Sequence, residues 1–319
     1  MPADWPPWNC PAHLIPLSEE PDRLVCPTGH AFPVRAAIPR FVGSSTYADA
    51  FGAQWNRYRV TQLDSHTGTT ISRDRVRRCI GDELWSTLAG QHVLECGCGA
   101  GRFTEVLLDR GALVTSVDLS DAVGANSENF GVGPSHRIAQ ADIEVLPFAP
   151  RQFDVVFCLG VIQHTPSPER TIGRLYDHVR PGGFLVVDHY RLDIRRLADL
   201  SFLYRAVLRH LPPRRGLRIT ERLVDAWLPL HQSAARFAPL VRRISGVVSY
   251  YRAYPQLPDA MQREWSLLDT HDSLTDWYKR LRTRGQIQRS LEQLGARVEI
   301  CARQGNGIEA RARRPDPSS

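Results

Sequence analysis

A glycine-rich loop between a strand and a helix is the feature that most constrains this chain. Residues 93–101 read Val-Leu-Glu-Cys-Gly-Cys-Gly-Ala-Gly. Gly97, Gly99 and Gly101 leave the turn without side chains, so a ligand can lie against the backbone. Apolar residues then recur at helical spacing over residues 103–108. This order predicts a loop whose backbone N–H groups point at a bound anionic or polar group.

Other kinds of glycine loop fit the segment less well. A dinucleotide-binding fingerprint that starts at Gly97 would need a glycine at position 102, where Arg102 stands. A phosphate-binding loop would need a lysine, and none is nearby. An ordinary turn remains the simplest alternative, and it is disfavoured because two further strands also end in acidic residues.

Those strands predict the rest of the sheet. Residues 112–117 lead to Asp118, which could accept both hydroxyls of a ribose, and residues 136–141 lead to Asp142. Residues 153–159 are almost wholly apolar, as expected for a strand covered on both faces. Alternating strands and helices predict an α/β fold with a parallel sheet and helices on both faces. The alternative for both aspartates is helix capping.

As an ordered set, these motifs resemble the class I S-adenosylmethionine-dependent methyltransferases, of the type 11 kind, over residues 84–190 and again from Gly285. The residues that carry the resemblance are Glu95 to Gly101, Val117-Asp118-Leu119-Ser120, Ala141-Asp142-Ile143, Leu146-Pro147-Phe148, Phe153-Asp154-Val155-Val156, Gln163-His164 and Arg180-Pro181-Gly182-Gly183. The resemblance implies a Rossmann-like fold, S-adenosylmethionine as cofactor and in-line methyl transfer.

The resemblance also implies residue roles. The implied cofactor-binding residues are Glu95, Gly97, Gly99, Gly101, Asp118, Leu119, Asp142, Ile143 and Leu159. The glycines and Glu95 would hold the methionine part and Asp118 the ribose. Asp142 would accept from the adenine amino group, with Leu119 and Ile143 packed on the ring. Leu159, at the end of a strand, would face the sulfonium.

Histidines supply the candidates for acid–base chemistry. His164 follows the strand end beside the methyl group, and its ordinary pKa suits a base near neutrality. A base is needed only if the acceptor carries a proton when it attacks, and a structural histidine is the alternative. We therefore predict His164 as a catalytic residue, with His271 as a second candidate.

The N-terminus contains four potential metal ligands in two pairs. Cys10 and His13 form the first pair, and Cys26 and His30 the second. Their spacing suits a structural zinc ion, since all four positions would be filled by protein. The segment resembles the zinc-ribbon-like heads of some bacterial methyltransferases, including ribosomal RNA guanine methyltransferases. The alternative is a head held by its own strands without metal.

The chain therefore divides into several predicted units. They are a small zinc-ribbon-like head (1–43), a helical linker and cap (44–83), a methyltransferase core (84–190 and 285–312), a helical insertion that caps the substrate (191–284) and a disordered tail (313–319). Within the insertion, the pattern predicts helices over residues 194–210, 219–228 and 233–249, and a helix start near Asp272. Asp269 and Asp272 belong to an aromatic and acidic group that we expect to face the acceptor.

Charge, cysteine count and hydropathy limit the kinds of partner and compartment that we expect for this chain. The 319 residues carry a net charge of +6, and residues 191–252 contain thirteen arginines against four acidic residues. Seven cysteines, an odd number, argue against a disulfide framework. No apolar run is long enough to cross a membrane and no secretory signal opens the chain, so we expect a cytoplasmic enzyme.

Three acceptor classes stay open. A small biosynthetic intermediate suits a capped pocket, an RNA suits the head and the basic segment, and a lipid-linked acceptor suits the arginine-rich amphipathic helices. The acceptor atom and the oligomeric state do not follow from the sequence.

Overall fold

The structure is a computed structural model that describes residues 5–43, 46–192, 200–305 and 307–316. The strands are β1 (Ser18–Glu20), β2 (Arg23–Val25), β3 (Ala31–Arg35), β4 (Ile38–Pro39), β5 (His92–Cys96), β6 (Leu113–Asp118), β7 (His136–Gln140), β8 (Phe153–Cys158), β9 (Val179–Tyr190), β10 (Arg297–Gln304) and β11 (Gly307–Arg313). The helices are α1 (Asp49–Arg57), α2 (Asp64–Thr67), α3 (Ile71–Ser86), α4 (Arg102–Asp109), α5 (Val123–Phe130), α6 (Pro168–Asp177), α7 (Ser201–Leu208), α8 (Pro213–Ser233), α9 (Ala238–Ser245), α10 (Asp259–Thr275) and α11 (Arg284–Gln293).

Seven strands form the main sheet in the order β10-β11-β9-β8-β5-β6-β7. Strands β5 to β9 pair in parallel, whereas β11 is antiparallel to both of its neighbours. The chain order reverses between β5 and β8, which opens a crevice at the carboxyl ends of those strands. The predicted α/β fold with a Rossmann-like methyltransferase sheet is confirmed.

Both faces of this sheet are buried, for the reason that the sequence suggested. Neighbouring residues of a strand point to opposite faces. Val93 of β5 packs in an apolar cluster with side chains of α3 and α4, and Leu94 packs in a second cluster with side chains of α6 and α11. Strand β8 contributes Val155 and Val156 to the two clusters in the same way. Helices therefore cover both faces of the sheet, and the carboxyl ends of its parallel strands remain accessible.

The N-terminal strands form a separate antiparallel sheet in the order β1-β2-β3-β4. This sheet docks on the edge of the large one. The Asn9 amide donates to the Pro147 carbonyl (2.8 Å) and the Phe41 amide donates to the Gln140 carbonyl (2.8 Å). The Trp8 ring lies 5.1 Å from the Phe148 ring. The head is thus packed against the loop that follows β7.

Helices α7 to α10 form the cap, and several sequence predictions need correction there. The helix predicted over 219–228 is part of the longer α8, and the one predicted over 233–249 is α9 preceded by a short 3-10 turn. Of the helix predicted over 194–210, residues 194–199 lie outside the described residues, and α7 occupies most of the remainder. Asp272 lies inside α10, more than three turns after the helix begins at Asp259, so the alternative in which a helix starts near Asp272 is wrong.

Helix α11 and the strands β10 and β11 complete the large sheet at the C-terminal end of the chain. Thr283 and Gln286 form a reciprocal capping box at the start of α11, which fixes where that helix begins. Strand β11 includes Arg313, a position predicted to open the tail. Asn306, between β10 and β11, lies outside the described residues. Residues 181–183 lie inside β9, where the pairing with β8 shifts register.

Candidate active site

One cavity lies at the carboxyl ends of the parallel strands. It is lined by the loops after β5, β6, β7 and β8, the end of β9, α1 and one face of α10. Seven of the nine predicted cofactor-binding residues line it: Gly97, Gly99, Asp118, Leu119, Asp142, Ile143 and Leu159. The structure therefore brings together residues that are up to 62 positions apart in the sequence.

The glycine loop forms the floor of this cavity. Gly97 has φ of +75°, and a Cβ atom there would lie 2.2 Å from Val161 Cγ2. Gly99 also has a positive φ, and its Cβ position would lie 3.3 Å from the Trp55 ring of α1. Both positions thus require glycine. Gly101 lies outside the cavity lining, because its Cβ position faces Phe130 of α5 at 2.3 Å, so its smallness serves packing.

Asp118 organises the loop as well as facing the cavity. Its Oδ2 accepts the Gly99 N–H (2.9 Å), and its Oδ1 accepts the N–H (2.8 Å) and hydroxyl (2.6 Å) of Ser120. Burial raises the pKa of the carboxyl, and these hydrogen bonds lower it. Oδ2 accepts only one of these hydrogen bonds and has a second lone pair, so Asp118 can still accept from a ligand hydroxyl.

Asp142 occupies the matching position after β7. Its Oδ1 accepts the Glu144 N–H (2.9 Å) and thereby caps a short 3-10 turn, so the capping alternative from the sequence describes one of its oxygens. Burial raises the pKa of this carboxyl. Ile143 and Leu119 supply apolar surface beside it.

Glu95 lies beneath the cavity and is not part of its lining. The side chain is buried at the end of β5, where Oε2 accepts the hydroxyls of Thr104 (2.6 Å) and Ser116 (2.9 Å). Its Oε1 has no hydrogen-bond partner among the described residues. Burial raises the pKa of Glu95 to about 7. Glu95 therefore anchors the start of α4 to the sheet, and its side chain does not contact the cavity directly.

The perturbed Glu95 carboxyl predicts a pH-dependent stability. Its folded-state pKa lies above the ordinary value, so the folded protein binds more protons than the unfolded chain between pH 4.5 and about 7, and stability falls as pH rises through that window. We expect Glu95→Gln to raise the free energy of unfolding at pH 8 by about 1–3 kcal/mol, with little effect near pH 4.5. Urea unfolding at both pH values measures this. The exposed Glu83→Gln serves as the control, and a difference that is the same at both pH values would contradict the assignment.

His164 also lines the cavity, held by acidic residues of α10 and its C-cap. Its Nδ1 lies 3.0 Å from Asp276 Oδ2, whose side chain is fully buried, and its Nε2 lies 3.6 Å from Asp272 Oδ2 without a hydrogen bond. The rings of Phe51 and Tyr190 pack edge-on at 5.3 and 5.5 Å. One nitrogen is thus oriented by a carboxylate while the other is left available.

Charge determines the pKa of this imidazole. Burial lowers the pKa of His164, the carboxylates of Asp272 and Asp276 raise it, and the Lys279 ammonium lowers it; the net direction is upward. Asp276 itself stays ionised because Lys279, His164 and the Arg205 guanidinium, which donates to Asp276 Oδ1 (2.7 Å), lower the pKa of its carboxyl. The arrangement is that of a base oriented by an acid.

His271 does not fit the catalytic role predicted for it. It is fully buried between α8 and α10, outside the cavity lining, and its Nδ1 lies 3.1 Å from the Thr220 hydroxyl. Burial lowers the pKa of His271 to about 4, so the imidazole is neutral. His271 therefore joins α10 to α8 within the cap.

Several residues of the cavity carried no local signal in the sequence. Arg75 of α3 forms a buried ion pair with Asp188 of β9, and Asp188 Oδ1 accepts the Gly160 N–H (2.6 Å). Arg102 is placed against the ring of Trp265 at 5.1 Å. Burial and the nearby Asp272 carboxylate raise the pKa of Asp269 to about 6. The sequence indicated the α10 acids only as a group, and it gave no reason to select the arginines.

A second cluster lies in the head. Ligand atoms of Cys10, His13 and His30 lie within 4.8 Å of one another. Cys10 Sγ is 3.5 Å from His13 Nδ1 and 3.4 Å from His30 Nδ1, and Cys26 Sγ is 3.5 Å from His13 Nδ1. The structure therefore gathers three of the four predicted metal ligands in one cluster, and Cys26 lies beside His13 at its margin.

Comparison with known proteins agrees with the core. Residues 94–187 match the methyltransferase-domain family. This part of the chain is similar to methyltransferase domains. The ubiquinone biosynthesis O-methyltransferases of Coxiella burnetii and Pseudomonas entomophila are 37% and 39% identical to this chain over 101 residues, which are 31% and 30% of the chain. The match spans only 43% of the length of each relative.

Solved structures that resemble this chain include methyltransferases. A SAM-dependent methyltransferase from Aquifex aeolicus aligns with a TM-score of 0.42 at 12% identity, covering 81% of this chain and 93% of the other. The residues that match the family model lie in β5 to β9 and the helices between them, and the head and the cap helices lie outside the matched residues.

Proposed function

We propose that this chain is an S-adenosylmethionine-dependent methyltransferase that transfers a methyl group to a hydroxyl oxygen of a small molecule. The observation that carries the proposal is the pairing, in one cavity, of a glycine loop flanked by Asp118 and Asp142 with a buried histidine whose Nε2 is available. The name of the two relatives, O-methyltransferase, supports an oxygen acceptor.

The residues at one end of the cavity fit the cofactor. Gly97 and Gly99 leave bare backbone for the methionine part. Asp118 Oδ2 has a lone pair for one ribose hydroxyl, and Oδ1 would accept the other if the Ser120 hydroxyl rotates away. Asp142 Oδ1 caps the short 3-10 turn, and Oδ2 would accept from the adenine amino group, with Leu119 and Ile143 as apolar surface. The bound cofactor would supply a methyl group that its sulfonium activates for displacement.

The other end of the cavity fits an acceptor that loses a proton. Neutral His164 would accept the hydroxyl proton at Nε2, and Asp276 would keep Nδ1 as the protonated nitrogen. Phe51 and Tyr190 would exclude water on both sides of the imidazole. The enzyme would then act mainly by alignment, since the donor is already activated.

Two measurements test the function itself. Calorimetric titration with S-adenosylmethionine should show one binding event. Incubation with methyl-labelled cofactor and a panel of small hydroxylated aromatic compounds should transfer label to an acid-stable ether. Absence of binding heat would refute the cofactor assignment. Label found only on nitrogen or carbon would refute the oxygen acceptor while leaving methyl transfer intact.

We also propose that the head binds a structural zinc ion. With Zn–S near 2.3 Å and Zn–N near 2.0–2.1 Å, the S···N edge of a tetrahedral site is about 3.5 Å. Three sulfur–nitrogen distances in the cluster are 3.4–3.5 Å. The zinc would join two turns that are otherwise held by short strands.

The zinc proposal predicts a metal content that depends on the cysteines. We expect purified protein to contain about one zinc per chain, and Cys10→Ser/Cys26→Ser to lose it and to lower the melting temperature, because both ligand turns are released. Elemental analysis measures the metal. Cys301→Ser, a half-buried thiol in β10, is the matched control. Zinc retained by the double variant, or absent from wild type purified without chelator, would contradict the site.

A further inference from the structure

The outward faces of α7 and α9 are apolar, which is unusual for helices at a protein surface. On α7 and the residue before it, Leu200, Leu203 and Val207 recur at i, i+3 and i+7. Phe237, Leu240 and Ile244 repeat that spacing on α9. With Phe202 and Trp277 they form a set that we name the apolar cap surface, whose members are 42–62% exposed. A surface helix ordinarily turns its polar face to water.

The members of the apolar cap surface are neighbours in space. The Leu200 amide donates to the Arg243 carbonyl of α9 (2.8 Å), which joins the start of α7 to the end of α9. Gly246 packs against the Tyr204 ring of α7. Trp277 reaches the other end of α7, with its ring 5.4 Å from that of His210. Eight of the fifteen large apolar side chains that are exposed in the described part of the chain belong to this one surface.

Arginine side chains lie beside two aromatic rings of the apolar cap surface, and other exposed arginines occur in the same part of the chain. The Arg209 guanidinium lies 5.8 Å from the Trp277 ring, and that of Arg236 lies 5.0 Å from the Phe237 ring. Seven arginines between residues 200 and 249 are exposed: Arg209, Arg214, Arg215, Arg218, Arg222, Arg236 and Arg243. The one exposed acid among the described residues of that span, Asp225, is paired with Arg263 at 2.6 Å.

We propose that the apolar cap surface binds the surface of an anionic phospholipid bilayer. Aliphatic and aromatic side chains flanked by arginine suit insertion at the boundary between headgroups and acyl chains. A second copy of the chain fits less well, because it would oppose Arg209, Arg236 and Arg243 to their own equivalents. RNA fits less well, because bare leucine and valine side chains gain nothing from a phosphate backbone. No helix in the described residues is long and apolar enough to cross a bilayer.

The apolar cap surface is connected to the cavity through a side chain of α7. Arg205 of α7 donates to Asp276, the carboxylate that holds His164. The helix that would touch the bilayer with one face therefore contacts, through Arg205, the carboxylate that holds the candidate base. An acceptor dissolved in the membrane would meet the enzyme on the side where the cap closes the cavity.

Vesicle sedimentation with the full-length chain tests the proposal. We expect wild type to bind phosphatidylcholine vesicles that contain phosphatidylglycerol much more strongly than pure phosphatidylcholine vesicles. Leu203→Ser/Leu240→Ser should reduce binding to the anionic vesicles about tenfold or more, since two inserted leucines are removed. Val132→Ser/Leu294→Ser, at two exposed apolar positions outside the surface, should stay within about twofold of wild type.

Folding and other partners are checked in the same series. Each variant is accepted only if its far-ultraviolet circular dichroism and its melting temperature match wild type, and its S-adenosylmethionine affinity is measured separately, so that a failure here leaves the proposed methyl transfer standing. Equal vesicle binding by wild type and Leu203→Ser/Leu240→Ser would overturn the proposal. So would a dimer in sedimentation equilibrium that the same variant dissociates, or RNA binding that it abolishes, in the absence of vesicle binding.

Discussion

Asp118→Ala is expected to weaken S-adenosylmethionine binding by about 100-fold or more. The change removes the acceptor proposed for the ribose hydroxyls, and hydrogen bonds to a charged acceptor contribute about 1.5–3 kcal/mol each. It also releases the Gly99 N–H and the Ser120 side chain, which fix the backbone that faces the methionine part. Calorimetric titration of wild type and variant gives the two dissociation constants.

Two further variants separate ribose binding from loop order. Asp109→Ala removes an exposed carboxylate, paired with Arg73 at 3.2 Å, and should leave the affinity unchanged. Asp118→Asn keeps one accepting oxygen and should fall between wild type and Asp118→Ala. If Asp118→Ala binds the cofactor within threefold of wild type while its melting temperature is preserved, the ribose assignment is wrong.

His164→Gln is expected to lower kcat by about 10²–10⁴-fold, the usual contribution of a positioned base. Glutamine fills similar space but accepts no proton near neutral pH. Because His164 lies at the acceptor end of the cavity, the dissociation constant for S-adenosylmethionine should change little. Single-turnover transfer of labelled methyl, with the acceptor identified from the panel, measures the rate. The exposed His66→Gln is the matched control.

The pH profile distinguishes a base from a structural histidine. A base acts when neutral, so the rate should rise with pH through the pKa of His164 and then level off. Asp272 and Asp276 raise that pKa above its ordinary 6.5, so the rise should lie above pH 6.5 in wild type. Asp276→Asn should move it to lower pH and reduce the rate. A profile that does not move in Asp276→Asn, or an unchanged kcat in His164→Gln, would exclude the proposed proton transfer.

Local patterns predicted the sheet well. Strands β6, β7 and β8 lie within one residue of their predicted bounds, because buried parallel strands are short apolar runs that end in turns or polar residues. Prediction was poorer in the cap. The amphipathic periodicity identified helices there, but α8 is longer than its apolar stripe suggested and Asp272 lies inside a helix. In that region, α8 begins at Pro213 and packs on α10 through an apolar cluster, a contact that no local pattern reveals.

The sequence by itself determined the α/β sheet, the glycine loop and the aspartates at its edge, since each of these depends on residues close together along the chain. Only the tertiary structure placed Asp276 against His164, although 112 positions separate them, and moved Glu95 and His271 out of the cavity. The physical reason is that strand periodicity and turn chemistry are local, whereas the pKa of a buried group depends on whichever charges the packed cap brings within a few ångströms.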